Sequence, residues 1–324
     1  MAEIVDIITK KPTVEAIFRK YEENKGDPFR DHLGASLIGR RCERQLWYSF
    51  RWCTKPKFNG RMLRLFQTGF REETRLIKDL RDCGITVYDK DPDSGKQIHY
   101  TSFGGHFAGS LDGVAQGFEE APVAWHVVEF KTSNTKSFAV MRGSGVKVAK
   151  PEHFIQMQTY MGWAGLQRAY YFAVCKETDE IYGERICFEK DVFDQIEDKA
   201  NRIVFADTPL SKTTDNPDSF ECRYCDHKET CHYGRLPEVN CRTCSYSDPM
   251  DDGKWKCCKC NLEIEPIQQR KALPCHIFIP NLVPLEQIDA DPDAGTITYE
   301  NGIVNGPGCV LSVDLQGVID AKTS

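Results

Sequence analysis

Two short stretches of the sequence carry acidic and basic side chains at spacings that suit a metal ion beside a phosphate. Residues 109–114 (GSLDGV) contain Asp112, and residues 127–132 (VVEFKT) contain Glu129 and Lys131. Each stretch reads as the end of a β-strand, in which side chains alternate between two faces. Glu129 and Lys131 should therefore share one face, which Asp112 on the neighbouring strand can join.

Two carboxylates at one rim of a sheet form a hard-oxygen site that suits Mg²⁺ or Mn²⁺. The adjacent Lys131 can orient or activate a water and stabilise negative charge that develops on a phosphate. Hydrolysis of a phosphodiester bond needs these parts: a metal, a positioned water and a cation. The alternative is that Asp112 closes a turn and that Glu129 and Lys131 form an exposed cross-strand pair, because Asp before Gly is common in turns.

Two predicted helices carry further polar residues toward this centre. Gln156 and Tyr160 are four residues apart, so they share one helix face. The order Asp, Glu-x-Lys and helical Gln-x-x-x-Tyr resembles the RecB-like branch of the PD-(D/E)XK nucleases, and the resemblance implies that Gln156 and Tyr160 help to hold the attacking water or the DNA strand. Residues 65–73 (LFQTGFREE) resemble the first motif of that family, with Glu73 in the place of its His. Glu73 is therefore a third predicted metal ligand, and Glu72 is its alternative.

Ten of the fifteen cysteines lie after residue 220, mostly at Cys-x2-Cys spacing, which indicates metal binding rather than disulfides. One early cysteine and a late C-x2-C-x5-C resemble the iron–sulfur clasp of the CRISPR-associated "Cas four" exonucleases and of AddAB-type nuclease subunits. The resemblance implies a structural 4Fe–4S cluster. The alternative is zinc bound by the three later cysteines with His227 or His232. The predicted cluster ligands are Cys42, Cys222, Cys225 and Cys231.

A second cysteine group follows with the spacing C-x2-C-x12-C-x2-C. This spacing is typical of a zinc ribbon, because tetrahedral Zn²⁺ takes its ligands from two short knuckles. The fourth ligand stays open between Cys260, which fits the knuckle spacing, and the later pair Cys275 and His276. A similar later pair occurs in a tail of phage exonucleases that this segment resembles. The other predicted zinc ligands are Cys241, Cys244 and Cys257.

Basic residues are concentrated in two segments, although the formal net charge is −6. Residues 40–64 carry eight basic residues and one acidic residue, and residues 131–150 carry five basic residues and no acidic one. Such local positive charge suits phosphate binding, and aromatic rings among arginines can stack on unpaired bases. The alternative is a solvated basic face over core aromatics. The predicted DNA contacts are Arg40, Arg41, Arg44, Trp47, Lys136 and Arg142.

The elements that must position these residues follow the order helix, three strands, helix, strand pair, helix, which predicts a mixed α/β core. The nuclease resemblance implies a restriction-endonuclease-like core, with a mixed central sheet flanked by helices. The predicted helices cover residues 62–82, 152–168 and 191–206. The predicted parts of the chain are an N-terminal helical segment (1–32), a nuclease domain with the iron–sulfur clasp (33–235), a zinc-binding module (236–280) and a β-rich tail (281–324).

These observations predict a metal-dependent DNA exonuclease, active in phage DNA recombination or replication or in end processing. The alternatives are a nuclease that processes DNA for CRISPR spacer acquisition and a non-catalytic DNA-binding or assembly protein with the same fold. No apolar run is long enough for a membrane span, and the N-terminus lacks a signal-peptide pattern. We therefore expect a cytoplasmic protein, in a bacterial host if a phage encodes it. Its expected partners are DNA and either further copies of the chain or a recombination protein.

Overall fold

The computed structural model describes residues 12–27, 29–271 and 273–323 of the chain. Its helices are α1 (Pro12–Glu23), α2 (Glu43–Phe50), α3 (Gly60–Asp82), α4 (Thr135–Ala149), α5 (Pro151–Ala164), α6 (Lys190–Phe205), α7 (Phe220–Arg223), α8 (Lys228–His232), α9 (Pro266–Gln269) and α10 (Leu315–Thr323). Its strands are β1 (Leu33–Gly34), β2 (Thr86–Tyr88), β3 (His99–Ser102), β4 (Phe107–Ser110), β5 (Gly113–Gln116), β6 (His126–Ser133), β7 (Arg168–Cys175), β8 (Ile181–Cys187), β9 (Ser247–Pro249), β10 (Trp255–Cys257), β11 (Leu262–Glu263), β12 (Gln287–Asp291), β13 (Thr296–Tyr299) and β14 (Val304–Asn305).

Contacts between residues divide the chain into two compact units. The described residues of the first unit lie within Met1–Pro28, Pro56–His99 and Ser110–Glu189. Those of the second unit lie within Phe29–Lys55, Tyr100–Gly109 and Lys190–Ser324. This division follows spatial contacts, and the domain boundaries proposed from the sequence stay predictions.

The first unit contains a five-stranded sheet in the order β2-β5-β6-β7-β8. Strands β6 and β7 are parallel, and every other neighbouring pair is antiparallel. A parallel pair needs a crossover connection, which α4 and α5 supply. Most of β6 is buried, in keeping with the apolar residues that flank its charged positions. The predicted mixed α/β architecture is confirmed.

Helix α3 brings Glu73 to this sheet. The helix begins at Gly60, where the Asn59 side chain accepts a hydrogen bond from the Met62 amide at 2.9 Å. A side chain at position 60 would collide with α1, because its Cβ would lie 2.1 Å from the Phe18 carbonyl oxygen. Ile77 is buried one turn beyond Glu73, so the face of α3 that carries both residues is turned inward.

An apolar core lies between α3 and the sheet. It combines residues from α3 with residues from four strands and the loop after β5. Its members are all nearly inaccessible to solvent, and they exclude water from the strand positions next to the candidate centre. The buried residues of this core are Leu76, Ile77, Val87, Ala115, Phe118, Val128, Phe130, Phe172 and Val174.

Two predicted elements differ from the sequence expectations, and further helices were not predicted. The predicted N-terminal helix ends earlier than expected, at Glu23. Residues 1–11 and Pro28 lie outside the described residues. The run HFAGSLDGVAQG (106–117) predicts a single strand, but its residues form β4 and β5, which belong to different sheets. Asp112 therefore lies in the break between two strands, which frees its side chain from the alternation of either.

Helix α4 was not predicted, because its sequence contains two glycines and several β-branched residues, all of which are weak helix formers. The Asn134 side chain caps its start by accepting a hydrogen bond from the Ser137 amide at 2.8 Å. The helix is interrupted at Gly145, whose φ of 75° favours glycine. The helix α10 inside the β-rich tail was also missed.

The second unit combines α2 and α6 with three small sheets, in the orders β1-β4-β3, β11-β10-β9 and β12-β13-β14. Its core includes a charged group, since the Arg242 guanidinium lies 3.8 Å from the centre of the Trp52 ring. The same guanidinium donates hydrogen bonds to the carbonyl oxygens of Phe50 and Asp31, at 3.1 and 2.9 Å. These bonds satisfy a charge that burial would otherwise disfavour.

None of the helices in the described parts of the chain combines the length and the apolar character needed to cross a lipid bilayer.

Candidate functional site

The break between β4 and β5 and the middle of β6 bring Asp112, Glu129 and Lys131 together, as the sequence predicted. An Asp112 carboxylate oxygen accepts a hydrogen bond from the Phe130 amide at 2.8 Å, which fixes it across β6. Glu129 and Lys131 share one face of β6 and form a direct ion pair. Phe130 points into the opposite face, where only 6% of its surface is exposed.

Glu73 joins this group from α3. Burial, followed by repulsion from Asp112, raises the pKa of the Glu73 carboxyl to about 7. Burial also raises the pKa of Glu129 to about 8, with Asp112 and Glu73 adding to the shift and Lys131 opposing it. The pKa of Asp112 is raised as well, chiefly by burial. Three carboxyl groups therefore share one partly buried site, in which the ionisation of one disfavours the ionisation of the others.

Lys131 is the cation of this cluster. Burial lowers the pKa of its ammonium group, but the carboxylates of Glu129, Asp112 and Glu73 outweigh burial and raise it. About a quarter of the side chain is accessible, with 28% exposure, whereas the Glu129 side chain is fully enclosed. Lys131 therefore stays charged and offers the ammonium group to whatever occupies the opening next to the carboxylates.

The carboxylates suit a hard divalent cation, although they do not complete a site with side chains alone. In the described part of the chain, no group of three or more His, Cys, Asp or Glu side chains is able to hold a metal ion. Mg²⁺, however, keeps several waters and commonly takes one or two carboxylates. Glu129 Oε2 is buried without a hydrogen-bond partner, a penalty of about 1–3 kcal/mol that a cation would remove. The donor chemistry of Glu129 and Asp112 thus fits Mg²⁺ or Mn²⁺.

Helix α5 packs against β6 and carries the predicted Gln156 and Tyr160. Both side chains are buried, and the Gln156 amide donates to the Tyr160 hydroxyl at 3.4 Å. They therefore form one polar pair on a single helix face, as the i, i+4 spacing predicted.

The sequence reasoning missed His153, which lies one turn before Gln156 on the same face of α5. Its Nδ1 lies 2.9 Å from the Tyr171 hydroxyl, and the two rings stack with their centres 5.7 Å apart. Tyr171 is the partner of Glu129 in the register of β6 and β7. Burial, with Lys131 adding to it, lowers the pKa of His153 to about 3, so its ring is neutral. The sequence feature that could have identified His153 is its spacing of three residues from Gln156, which places both on one helix face.

Only part of the predicted DNA-binding set has side chains at the surface. Lys136 and Arg142 of the first unit are both exposed, and Arg142 pairs with Glu180 at 2.9 Å. In the second unit, Arg41 is exposed and pairs with Glu221 at 3.1 Å. The partly buried residues of the set are Arg40 and Arg44.

The prediction that Trp47 stacks on DNA bases is wrong. Trp47 has 0% exposure, and its indole N–H donates to the Ala206 carbonyl oxygen at 2.9 Å. Tyr48 and Trp52, the other tyrosine and tryptophan rings of this basic segment, are buried too. The apolar residues of α2 face the core of the second unit. For these three rings the alternative reading, a core position beneath a basic surface, is the correct one.

The four cysteines of the predicted iron–sulfur clasp line one pocket of the second unit. Cys42 lies at the start of α2, and the other three lie on or beside α7 and α8. Burial raises the pKa of the Cys225 thiol to about 11, with Cys42 and Cys222 adding to the shift. His227 Nε2 lies 2.9 Å from the Ser49 hydroxyl, whereas its buried Nδ1 has no hydrogen-bond partner. The pocket is lined by Cys42, Cys222, Cys225 and Cys231, with Arg44, Tyr48 and Lys212 among the other lining residues.

The predicted zinc ligands are also near one another in the second unit. Burial raises the pKa of the Cys241 thiol to about 12, and the neighbouring thiols of Cys244, Cys257 and Cys275 add to the shift. Cys260 is exposed and interacts with Cys257 and Cys275. Five thiols therefore lie in this region for a site that needs four.

No protein-family model matches the sequence, and no curated protein matches it. The fold is similar to a structure of LHK-Exo in complex with dAMP, with a TM-score of 0.40 and 19% identity over 58% of this chain and 90% of that one. A second structure of the same protein, described as an alkaline exonuclease (LHK-Exo) from Laribacter hongkongensis, gives a TM-score of 0.39 and 19% identity over 53% of this chain and 85% of that one. SSO0001 gives a TM-score of 0.38 and 14% identity over 68% of this chain and 96% of that one.

Proposed function

We propose that this protein is a DNA exonuclease that hydrolyses phosphodiester bonds with the help of Mg²⁺ or Mn²⁺. The observation that carries the proposal is the convergence of Glu73, Asp112 and Glu129 on one partly buried site, each with a raised pKa, beside the charged Lys131. A carboxylate cluster that only stabilised the fold would not leave Glu129 Oε2 buried and unpaired. Perturbed acids of this kind are typical of catalytic centres.

Asp112 and Glu129 would hold the divalent cation, and Glu73 would assist them from α3. A bound cation would supply Lewis-acid polarisation of a phosphoryl oxygen. The Asp112 carboxylate is kept in place by the Phe130 amide, so it needs no reorganisation to act. The ammonium group of Lys131 would orient the attacking water and stabilise charge on the phosphate.

Helix α5 would support this centre. The buried pair of Gln156 and Tyr160 offers amide and hydroxyl groups that can orient a water or the DNA strand. Neutral His153 is held by its contact with Tyr171, next to Glu129 in the sheet register. It would restrain the sheet face that carries the carboxylates.

The substrate we infer is DNA that is trimmed from an end, in phage recombination or replication or in end processing. Exposed Lys136 of the first unit and exposed Arg41 of the second are the predicted contacts best available to phosphates. The clustered thiols support two structural cofactors, a 4Fe–4S cluster at the pocket of Cys42 and zinc near Cys241. Anaerobic purification followed by an absorption spectrum tests the cluster, which absorbs broadly near about 400 nm.

End-labelled single- and double-stranded DNA, incubated with Mg²⁺, Mn²⁺ or chelator, tests the activity. We expect shortening from an end only with the divalent cation. Lys131→Ala should reduce the rate by about 100-fold or more while DNA binding persists, because it removes charge stabilisation at the phosphate. Lys190→Ala is the matched control, since Lys190 is an exposed lysine paired with Asp194 on a surface helix. Equal rates for the wild type and Lys131→Ala, or no cation-dependent cleavage by the wild type, would contradict the proposal.

A further inference from the structure

The knuckle that contains Cys241 and Cys244 is paired with a later segment of the second unit. The Ser245 amide donates to the Ile277 carbonyl oxygen at 2.8 Å, and the Ile279 amide donates to the Thr243 carbonyl oxygen at 3.0 Å. The main chain at Cys244 forms an isolated antiparallel β-bridge with that at Phe278. These main-chain bonds fix the segment that begins at Cys275 directly beside the knuckle.

The sulfur atoms of this knuckle are surrounded by donors and by other thiols. The amides of Ile277 and Tyr246 donate hydrogen bonds to the Cys244 sulfur. The thiols of Cys244, Cys257 and Cys275 all lie close enough to interact with the Cys241 thiol. Four sulfur atoms grouped in this way are a ligand set that tetrahedral Zn²⁺ takes.

The two other candidates for the fourth ligand fit less well. Cys260 lies in the exposed turn between β10 and β11, where its thiol contacts that of Cys257. His276 Nε2 is occupied by the Thr243 hydroxyl of the knuckle, at 3.2 Å, and its ring contacts Phe278 edge-on. Both observations leave Cys275 as the thiol that the backbone pairing holds against the knuckle.

We propose that Cys241, Cys244, Cys257 and Cys275 form a tetrahedral zinc site, and that Cys260 lies outside it. Soft thiolates are preferred ligands of Zn²⁺, which binds them at about 2.3 Å. The described side chains do not stand at ligating geometry. Zinc binding would have to rotate the cysteine side chains into place, and a change of rotamer about one Cα–Cβ bond moves a sulfur by up to about 3 Å. The proposal is independent of the proposed nuclease function.

Zinc at this site would join three separate stretches of the second unit. Two of them form the ribbon, which comprises the knuckle at Cys241 and Cys244 and the strand β10 that ends at Cys257. The third stretch begins at Cys275 and leads through the buried Ile277 and Phe278 into the β-rich tail. If Cys260 were the fourth ligand, zinc would not be bound to the stretch that leads into the tail. The ligand choice therefore decides whether zinc stabilises the ribbon alone or the ribbon together with the tail.

The test measures zinc per full-length chain in the wild type, Cys275→Ser and Cys260→Ser by elemental analysis. We expect Cys275→Ser to lose one zinc ion per chain and Cys260→Ser to keep it. Replacement of zinc by Co²⁺ gives a second readout, because the cobalt spectrum distinguishes four sulfur ligands from three. Cys260→Ser should retain the four-sulfur spectrum. Absence of zinc from the wild type, or loss of one zinc from Cys260→Ser, would overturn the proposal.

A measurement on the unaltered protein covers the case in which Cys275→Ser fails to fold. Brief alkylation followed by mass spectrometry compares the reactivity of Cys260 and Cys275 before and after treatment with a zinc chelator. A metal-bound thiolate is shielded from alkylation, whereas an exposed free thiol reacts. We expect Cys260 to be labelled in both samples and Cys275 only after chelation. Protection of Cys260 in place of Cys275 would assign the fourth position to Cys260.

Discussion

Glu129 gives the sharpest prediction. Its negative charge should lower the stability of the fold, because the side chain is buried, although the proposed reaction needs that charge to bind the cation. Its side chain is fully enclosed, and its pKa is raised to about 8 from an ordinary value of about 4.3. The folded protein therefore binds a proton here that the unfolded chain has already released above about pH 5. Stability linked to this group is present below the unfolded pKa and is lost as the pH rises through about 8.

The perturbation is Glu129→Gln, which keeps the shape and removes the titration. Each pKa unit corresponds to about 1.4 kcal/mol, so the shift taken alone amounts to about 5 kcal/mol. Lys131 already opposes the shift, so the loss of its ion pair in the variant is contained in this figure. We therefore expect the variant to be more stable than the wild type by on the order of 5 kcal/mol at pH 8.5 and by only about 1 kcal/mol near pH 5.

The assay is denaturant unfolding of both proteins between pH 5 and pH 8.5, in chelator and in Mg²⁺. Divalent cation should stabilise the wild type at high pH and leave Glu129→Gln unchanged, while cleavage activity is lost in the variant. The control is Glu180→Gln, an exposed carboxylate of the first unit that pairs with Arg142 at 2.9 Å. A stability difference between Glu129→Gln and the wild type that does not change with pH would refute the reasoning.

Three further predictions concern the surroundings of the site. Trp47→Ala removes a fully buried indole and should lower the free energy of unfolding by about 3–5 kcal/mol; a loss of DNA affinity in the folded variant would restore the base-stacking role instead. Asn134→Ala removes the cap of α4 and should cost about 1 kcal/mol in urea unfolding, whereas Asn134→Ser should retain most of it. His153→Phe keeps a ring against Tyr171 but removes the 2.9 Å contact, so kcat should fall about tenfold with little change in KM; an unchanged kcat would limit His153 to a packing role.

The candidate centre was predictable from sequence because its chemistry is local. Alternation along β6 was enough to place Glu129 and Lys131 on one face and Phe130 on the other, and the i, i+4 rule paired Gln156 with Tyr160. The mixed α/β order followed from apolar periodicity. Helix α4 was missed because glycines and β-branched residues hide a helix whose stability comes from its cap and its packing.

What the sequence alone determined is the identity of the ionisable and thiol groups and their spacing along single elements. Tertiary structure decided which surfaces those elements show to water. Trp47 lies among arginines that suggest a nucleic-acid surface, yet it is enclosed in a core, because burial depends on what packs against a helix from distant parts of the chain. The nearness of Cys275 to Cys241 likewise depends on main-chain pairing between segments more than thirty residues apart, and no pattern within either segment encodes that pairing.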